Sequence, residues 1–95
     1  SEPLIFVDFT ATWCRPCRKM APVFEALAEE HSAGAAGAVF AKVDIDELPD
    51  IFAEAGGLSI PSFRVLRDGV GVDEVTGAFE GKLQDMVSKH LKKTN

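Results

Sequence analysis

Residues 4–17 read LIFVDFTATWCRPC and form the most informative stretch of the chain. It begins with an almost continuous apolar run over residues 4–9, which is typical of a strand covered on both faces of a parallel sheet. It ends with Cys14 and Cys17 at the start of a helical pattern over residues 15–31. The sequence therefore predicts a buried strand, a short loop, and a helix with a CxxC motif in its first turn.

The remainder of the chain continues to alternate between strand and helix patterns. A glycine pair at Gly56-Gly57 marks the end of one short helix, and Arg67-Asp68-Gly69 is a hairpin turn signal. The resulting order, β-α-β-α-β-β-α, predicts an α/β fold with a mixed four-stranded sheet flanked by helices, in a single domain over residues 1–95. The later elements are predicted as a buried strand at 38–44, a helix at 47–55, strands at 62–67 and 70–76, and an amphipathic helix at 79–91.

Composition narrows the classes of function. The net charge of −5 argues against nucleic acid or an anionic membrane as the main partner, because both need a basic face. No apolar run approaches the roughly 20 residues that cross a bilayer. The two cysteines are too few for a disulfide scaffold or for a structural zinc site with four ligands. Of the possible roles for the two cysteines, redox chemistry between their sulfurs is the one that remains. The absence of structural disulfides fits a reducing compartment such as the cytoplasm.

Residues 7–17, VDFTATWCRPC, resemble the active-site segment of the thioredoxin family. The resemblance extends over nearly the whole chain through KVD at 42–44, IPSF at 60–63, DG at 68–69 and TGA at 76–78. It implies the thioredoxin fold with Pro61 in cis beside the disulfide. It also implies a protein-disulfide reductase without a bound cofactor or metal, which acts on disulfide-containing proteins and is restored by an external reductase such as a thioredoxin reductase.

The chain departs from the family pattern at its beginning and between the cysteines. Only thirteen residues precede Cys14, so the usual first strand and helix are lacking, and we expect an exposed sheet edge near residues 38–44. A targeting signal could have been removed with such a segment, which leaves the cytoplasmic location an expectation. Arg15 stands where the family usually has Gly, and its charge is expected to make the couple more oxidising; the alternative is a solvated surface arginine.

The two cysteines are expected to divide the chemistry between them. Cys14 lies where unpaired N–H groups and the positive end of the helix dipole lower the pKa of a thiol from its free value of about 8.5, which makes it the expected nucleophile. Cys17 is one helical turn further on, within reach of the first sulfur, and is expected to resolve the mixed disulfide. The alternative is a pair of inert core cysteines.

Asp8 is anomalous, because a carboxylate inside a buried strand is costly and burial should raise its pKa. Such an acid can accept the proton of Cys17 as that thiol attacks, and the resemblance implies Lys42 as its neighbouring cation. The alternative for Asp8 is a local capping or hydrogen-bonding role. The residues expected to contact substrate are Trp13, Arg15, Pro16, Ile60, Pro61, Gly77 and Ala78.

The sequence also fits several alternatives. Trp13 could pack in the core instead of touching substrate, and Pro61 could be an ordinary trans turn proline. The chain could be an oxidase or isomerase, a binding module in which redox chemistry is incidental, or a domain that shares a metal between two copies. The acidic cluster formed by Asp44, Asp46, Glu47 and Asp50 is expected to be a solvated helix start, since it lacks the spacing of an EF-hand.

Overall fold

The computed structural model describes residues 4–31 and 37–92 and contains the predicted elements in the predicted order. Most boundaries lie within one residue of the sequence patterns, whereas the second helix is shorter than predicted. The elements are β1 (Ile5–Thr10), α1 (Arg15–His31), β2 (Val39–Asp44), α2 (Pro49–Glu54), β3 (Ser62–Arg67), β4 (Val70–Thr76) and α3 (Glu80–Lys92). The small residues at 32–37 predict a loop between α1 and β2, of which residues 32–36 lie outside the described part of the chain.

The second helix begins later than predicted because the chain first turns at the end of β2. The backbone N–H groups of Glu47 and Leu48 both donate to the carbonyl of Asp44, at 3.1 and 2.9 Å. Pro49 then opens α2, at a position where its missing N–H costs nothing. Gly56 follows the helix with a φ of +75°, which is the left-handed conformation that glycine adopts without strain.

The four strands form one mixed sheet in the order β2-β1-β3-β4. Strand β1 runs parallel to β2 and antiparallel to β3, and β4 completes the antiparallel hairpin with β3. The hairpin turns at Asp68 and Gly69, whose φ angles of 54° and 79° are those of a type I′ turn. A register shift between Val65 and Leu66 marks a β-bulge in this hairpin.

The main core lies between the sheet and the pair α1 and α3. Phe6 and Phe63 contribute from neighbouring strands, Phe24 from α1, and Leu83 and Val87 from α3. Leu83 and Val87 are completely buried, as their spacing in the amphipathic pattern predicts. On the opposite face, α2 covers β1 by packing Phe52 against Phe9, with ring centroids 5.3 Å apart. Strand β1 is therefore covered on both faces, as predicted.

Strand β2 is less covered than its sequence indicated. The prediction of a buried strand is wrong, since its residues are exposed or half-buried and Val39 exposes 43% of its surface. The reason is position in the sheet: within the described residues, β2 pairs with β1 alone and forms an edge. The expected exposed edge near residues 38–44 is thus confirmed, and Lys42 supplies the charge that commonly protects such edges.

A hydrogen bond between side chains joins the last turn of helix α3 to strand β4. His90 is 4% exposed, and its Nε2 lies 2.8 Å from Oδ2 of Asp73. This hydrogen bond is the main reason that the pKa of Asp73 lies below its usual value. His90 is therefore a buried packing residue that also joins α3 to β4. No helix in the described ranges is both long and apolar enough to cross a membrane.

Candidate active site

The two cysteines lie where the loop after β1 enters α1. The N–H of Cys14 donates to the carbonyl of Ala11 at 3.2 Å, and the carbonyl of Cys14 accepts the N–H of Arg18 at 3.1 Å, which places Cys14 at the N-cap. The backbone N–H of Cys17 donates to Sγ of Cys14 at 3.2 Å. A sulfur thus occupies the place that a serine or aspartate oxygen fills at other helix starts.

Cys14 and Cys17 are joined by a disulfide, with their Cα atoms 5.2 Å apart. Both residues are buried, and Cys14 is the more accessible of the two, at 5% against 2% for Cys17. They form a small cluster with Ala11, against which Ile45 and Ile60 pack. The side chains between them, Arg15 and Pro16, point to solvent. One sulfur is therefore near the surface, and the other is covered.

Pro61 brings a second backbone segment to the disulfide. The Ile60–Pro61 peptide bond is cis, and Pro61 is fully buried. The carbonyl of Pro61 accepts the N–H of Gly77 at 2.8 Å, which joins the start of β3 to the chain that follows β4. Gly77 has a φ of +106°, a conformation that favours glycine. Ile60 is thereby held against the cysteine cluster.

Trp13 lies on the surface beside the disulfide and not in the core. It exposes 64% of its surface, and its indole N–H donates to Oδ2 of Asp46 at 2.8 Å. Asp46 is itself held by its backbone N–H, which donates to Oδ1 of Asp44 at 2.8 Å. The core-packing alternative for Trp13 is therefore wrong, and part of the acidic cluster orients this indole. Within residues 4–31 and 37–92, no group of three or more His, Cys, Asp or Glu is arranged to hold a metal ion.

Asp8 is the buried carboxylate that the sequence singled out. It is 2% exposed, and its pKa is raised to about 6. Loss of hydration on burial is the largest cause, the positive charge of Lys42 opposes it, and the negative charge of Glu25 adds to it. The predicted rise in pKa is confirmed. A group with this pKa can bind and release a proton near neutral pH.

Lys42 is adjacent to Asp8, as the resemblance implied, but its ammonium group is engaged elsewhere. The two residues are direct partners in the register of β1 and β2. The Nζ of Lys42 lies 3.3 Å from Oε2 of Glu25 on α1. Sequence reasoning missed Glu25, since an exposed acid on a helix gives no local signal. Only the packing of α1 across β2 makes it a neighbour of this cation.

A cleft of about 630 Å³ opens between α1, the end of β1 and the turn after β2. Cys17 and Ala21 line it from α1, Thr10 from the end of β1, Thr12 from the loop that follows, and Lys42 from the edge strand. The cleft connects the covered side of the disulfide with solvent. Cys17, the predicted resolving cysteine, and Lys42, the cation beside Asp8, therefore border the same water-accessible space.

The thioredoxin family model matches residues 1–89. This chain belongs to the thioredoxin family. Thioredoxin of Coprinus comatus is 45% identical over 91 residues, which cover 96% of this chain and 84% of that protein. The H-type thioredoxin of Chlamydomonas reinhardtii is 44% identical, over 90% of this chain and 74% of that protein. The crystal structure of Malassezia sympodialis thioredoxin superposes with a TM-score of 0.87 at 35% identity, covering 96% of this chain and 77% of that one.

Membership of the thioredoxin family and the joined cysteine pair establish the class of reaction. The domain is a thiol–disulfide oxidoreductase that works through the Cys14–Cys17 couple, and it reduces protein disulfides. The predicted fold and reaction class are both confirmed.

The structure brings most of the predicted site residues of this thioredoxin-family domain together. Ile60 lies on the cysteine cluster, and Pro61 and Gly77 share a hydrogen bond. Ala78 instead packs against the main core. Asp46, which orients Trp13, is a site residue that the sequence pattern predicted only as part of a solvated helix start.

Proposed function

We propose that this domain reduces protein disulfides by attack of Cys14 on the substrate and release of the product by Cys17. The observation that carries this assignment is the position of Cys14 Sγ at the N-terminus of α1, where it accepts the N–H of Cys17. A helix N-terminus favours an anion, so the thiolate of Cys14 is stabilised relative to the thiol. The greater accessibility of Cys14 supports the same order of events.

The reaction proceeds in two balanced steps. The thiolate of Cys14 attacks one sulfur of the substrate disulfide; the Cys14–substrate bond forms, and the second substrate sulfur leaves as a thiolate. Cys17 then loses its proton and attacks Sγ of Cys14. The Cys14–Cys17 disulfide forms, the bond to substrate breaks, and the substrate leaves as a dithiol. Two electrons pass from the domain to the substrate.

Asp8 accepts the proton of Cys17 in the second step. A carboxylate with a pKa of about 6 is ionised at neutral pH and yet is basic enough to take a proton from a thiol that is attacking. The cleft lined by Cys17 and Lys42 gives water access to this region, so the proton can pass to solvent. Lys42 supports the ionised form of Asp8 through its charge.

The surface around Cys14 binds the substrate polypeptide. Trp13, Arg15 and Pro16 are exposed beside the more accessible sulfur. Ile60, Pro61 and Gly77 form the facing rim, where the backbone of an extended peptide can pair with the backbone of Ile60. Ala78 supports this rim from the core side.

Each turnover leaves the domain oxidised, so an external reductant must restore the dithiol. A thioredoxin reductase is the proposed partner, and the cytoplasm is the proposed location. Both cysteines of the sequence belong to the active pair. A protein without structural disulfides is the kind that reducing compartments contain.

Trapping a substrate tests the division of roles between the cysteines. Cys17→Ser removes the resolving thiol, so we expect a mixed disulfide between Cys14 and the substrate protein to accumulate. Non-reducing electrophoresis and intact-mass spectrometry detect this adduct, and dithiothreitol releases it. The matched variant Cys14→Ser should form no adduct, because Cys17 is the less accessible of the two and does not lie at the N-cap of α1. An adduct on Cys17 in that variant would reverse the assignment.

Arg15 is proposed to tune the redox potential of the couple. A cation beside Cys14 stabilises the thiolate and therefore the reduced form, so Arg15→Gly should make the potential more negative. Arg15 is exposed, which limits the shift to about 10–20 mV. Equilibration with glutathione buffers measures it. Arg15→Lys keeps the charge and should keep the wild-type potential. Arg15→Gln removes the charge and should lower the potential as Arg15→Gly does. If Arg15→Gln instead kept the wild-type potential, the shift in Arg15→Gly would come from the change in the backbone and not from the lost charge.

A further inference from the structure

We propose that Glu25 is a positioning residue for the resolving step: by holding the ammonium group of Lys42, it keeps that cation from pairing with Asp8. This inference rests on the proposed role of Asp8. It adds a third ionisable residue, supplied by α1, to the two that the sequence identified. Glu25 touches neither the substrate nor the sulfurs, and it acts through Lys42.

The first support is the geometry of the ion pair. Lys42 extends from β2, where its Cα is paired with that of Asp8. Its Nζ nevertheless bonds to Oε2 of Glu25, at 3.3 Å. The lysine side chain has a flexible four-carbon stem, so its charged end can lie toward the helix or toward the strand. The observed position is the one toward the helix.

The second support is the set of charges that act on Asp8. They come from Lys42 on β2 and from Glu25 on α1, and they have opposite effects. The neighbour of Asp8 on β3 is Phe63, which carries no charge. Cys17, also on α1, is the thiol that the step deprotonates. Glu25 therefore opposes the ionisation of Asp8 in two ways, through its own charge and by drawing the lysine away.

The third support is the cleft. Lys42 and Cys17 line the same space of about 630 Å³, so the pair that Lys42 forms with Glu25 borders the route by which a proton leaves. Both members of the pair are about half exposed, with side-chain exposures of 49% and 62%. Water screens such a pair, so its influence is a tuning effect and not an all-or-none switch.

The test is the pH profile of the resolving step in Glu25→Gln. We expect its midpoint to fall by about half a pH unit, since the released lysine favours ionised Asp8. At pH 5.5 the variant should then reach about twice the fraction of its own plateau rate that the wild type reaches. Stopped-flow mixing of the reduced domain with a chromogenic aromatic disulfide isolates this step, as a second phase whose rate does not depend on reagent concentration.

Glu29→Gln is the matched control, because Glu29 lies one turn further along α1, is also exposed, and has no ion pair with Lys42. Its profile should match that of the wild type. Titration of the Asp8 carboxyl by carbon NMR in the oxidised domain should show the same downward shift in Glu25→Gln. An unchanged or higher midpoint by both measurements overturns the proposal.

Two further variants separate this inference from the function on which it rests. In a Lys42→Gln background, Glu25→Gln should give a smaller shift; an equal shift in both backgrounds overturns the claim that Glu25 acts through Lys42. Asp8→Asn should remove the acidic limb of the profile. If Asp8→Asn leaves that limb in place, the proton-acceptor role of Asp8 fails, while the NMR titration still decides whether Glu25 controls the Asp8–Lys42 pair.

Discussion

Cys14→Ser should lower the rate of insulin disulfide reduction by a factor on the order of 10³ or more, to the rate given by the reductant alone. A serine hydroxyl is not ionised near neutral pH, so the helix N-terminus at Cys14 would no longer hold a nucleophilic anion. The loss should be in turnover and not in folding, because serine also caps helices well. The measurement is the rate at which reduced insulin precipitates when dithiothreitol supplies electrons.

The controls for Cys14→Ser address folding and the binding-module alternative. Circular dichroism and thermal unfolding should match those of the wild type in the reduced state, since the variant cannot form the disulfide. Ser59→Ala changes an exposed serine close to Ile60 and should retain full activity. Residual activity of Cys14→Ser close to that of the wild type would contradict the proposed nucleophile, whereas the expected loss argues against a binding module in which redox chemistry is incidental.

Asp8→Asn should make the oxidised domain more stable by about 3 kcal/mol at pH 7.5. The pKa of Asp8 is raised from 3.8 to about 6, so the folded state binds the proton more tightly than the unfolded state does. Above pH 6 the folded wild type must hold a desolvated charge, which destabilises it. As the pH falls from 6 toward 4, Asp8 becomes protonated in the folded state and this cost disappears. Denaturation in guanidinium chloride at pH 4 and pH 7.5 measures the difference.

The gain in stability from Asp8→Asn should therefore be large at pH 7.5 and close to zero at pH 4. The same substitution should slow the resolving step, because an amide cannot accept the proton of Cys17. Asp50→Asn, on the exposed first turn of α2, is the matched control and should change neither quantity. Equal stability of Asp8→Asn and the wild type at pH 7.5 would show that burial does not perturb this carboxyl.

Local sequence patterns predicted the elements and the chemistry of this domain well. The apolar run before Asp8 marks β1, the CxxC motif marks the start of α1, and Asp68-Gly69 marks the hairpin. These features depend on residues that are close in the chain, such as the N-cap position of Cys14. The anomaly of an acid within a buried strand could also be detected in the sequence, because burial of a charge is costly wherever the strand lies.

The sequence was less informative wherever coverage depends on distant neighbours. Strand β2 has the same apolar composition as a central strand, yet its place at the edge of the sheet leaves it half-exposed. The sequence alone left open whether Trp13 lies in the core. The turn after β2 brings Asp46 close to Trp13, and the hydrogen bond between them holds the indole on the surface. Neither outcome follows from local propensity, because each depends on which elements are adjacent.

Residues near one another in the chain determined three features of this domain. These are the order of strands and helices, the two sulfurs within bonding distance on one helical turn, and the energetically costly acid in β1. The cis bond before Pro61 was implied by resemblance to the thioredoxin family. Tertiary packing alone decided that Lys42 bonds to Glu25 and that Cys17 and Lys42 face a common cleft. The physical reason is that charge–charge contacts and clefts depend on distances between elements, which follow from how α1 lies across the sheet.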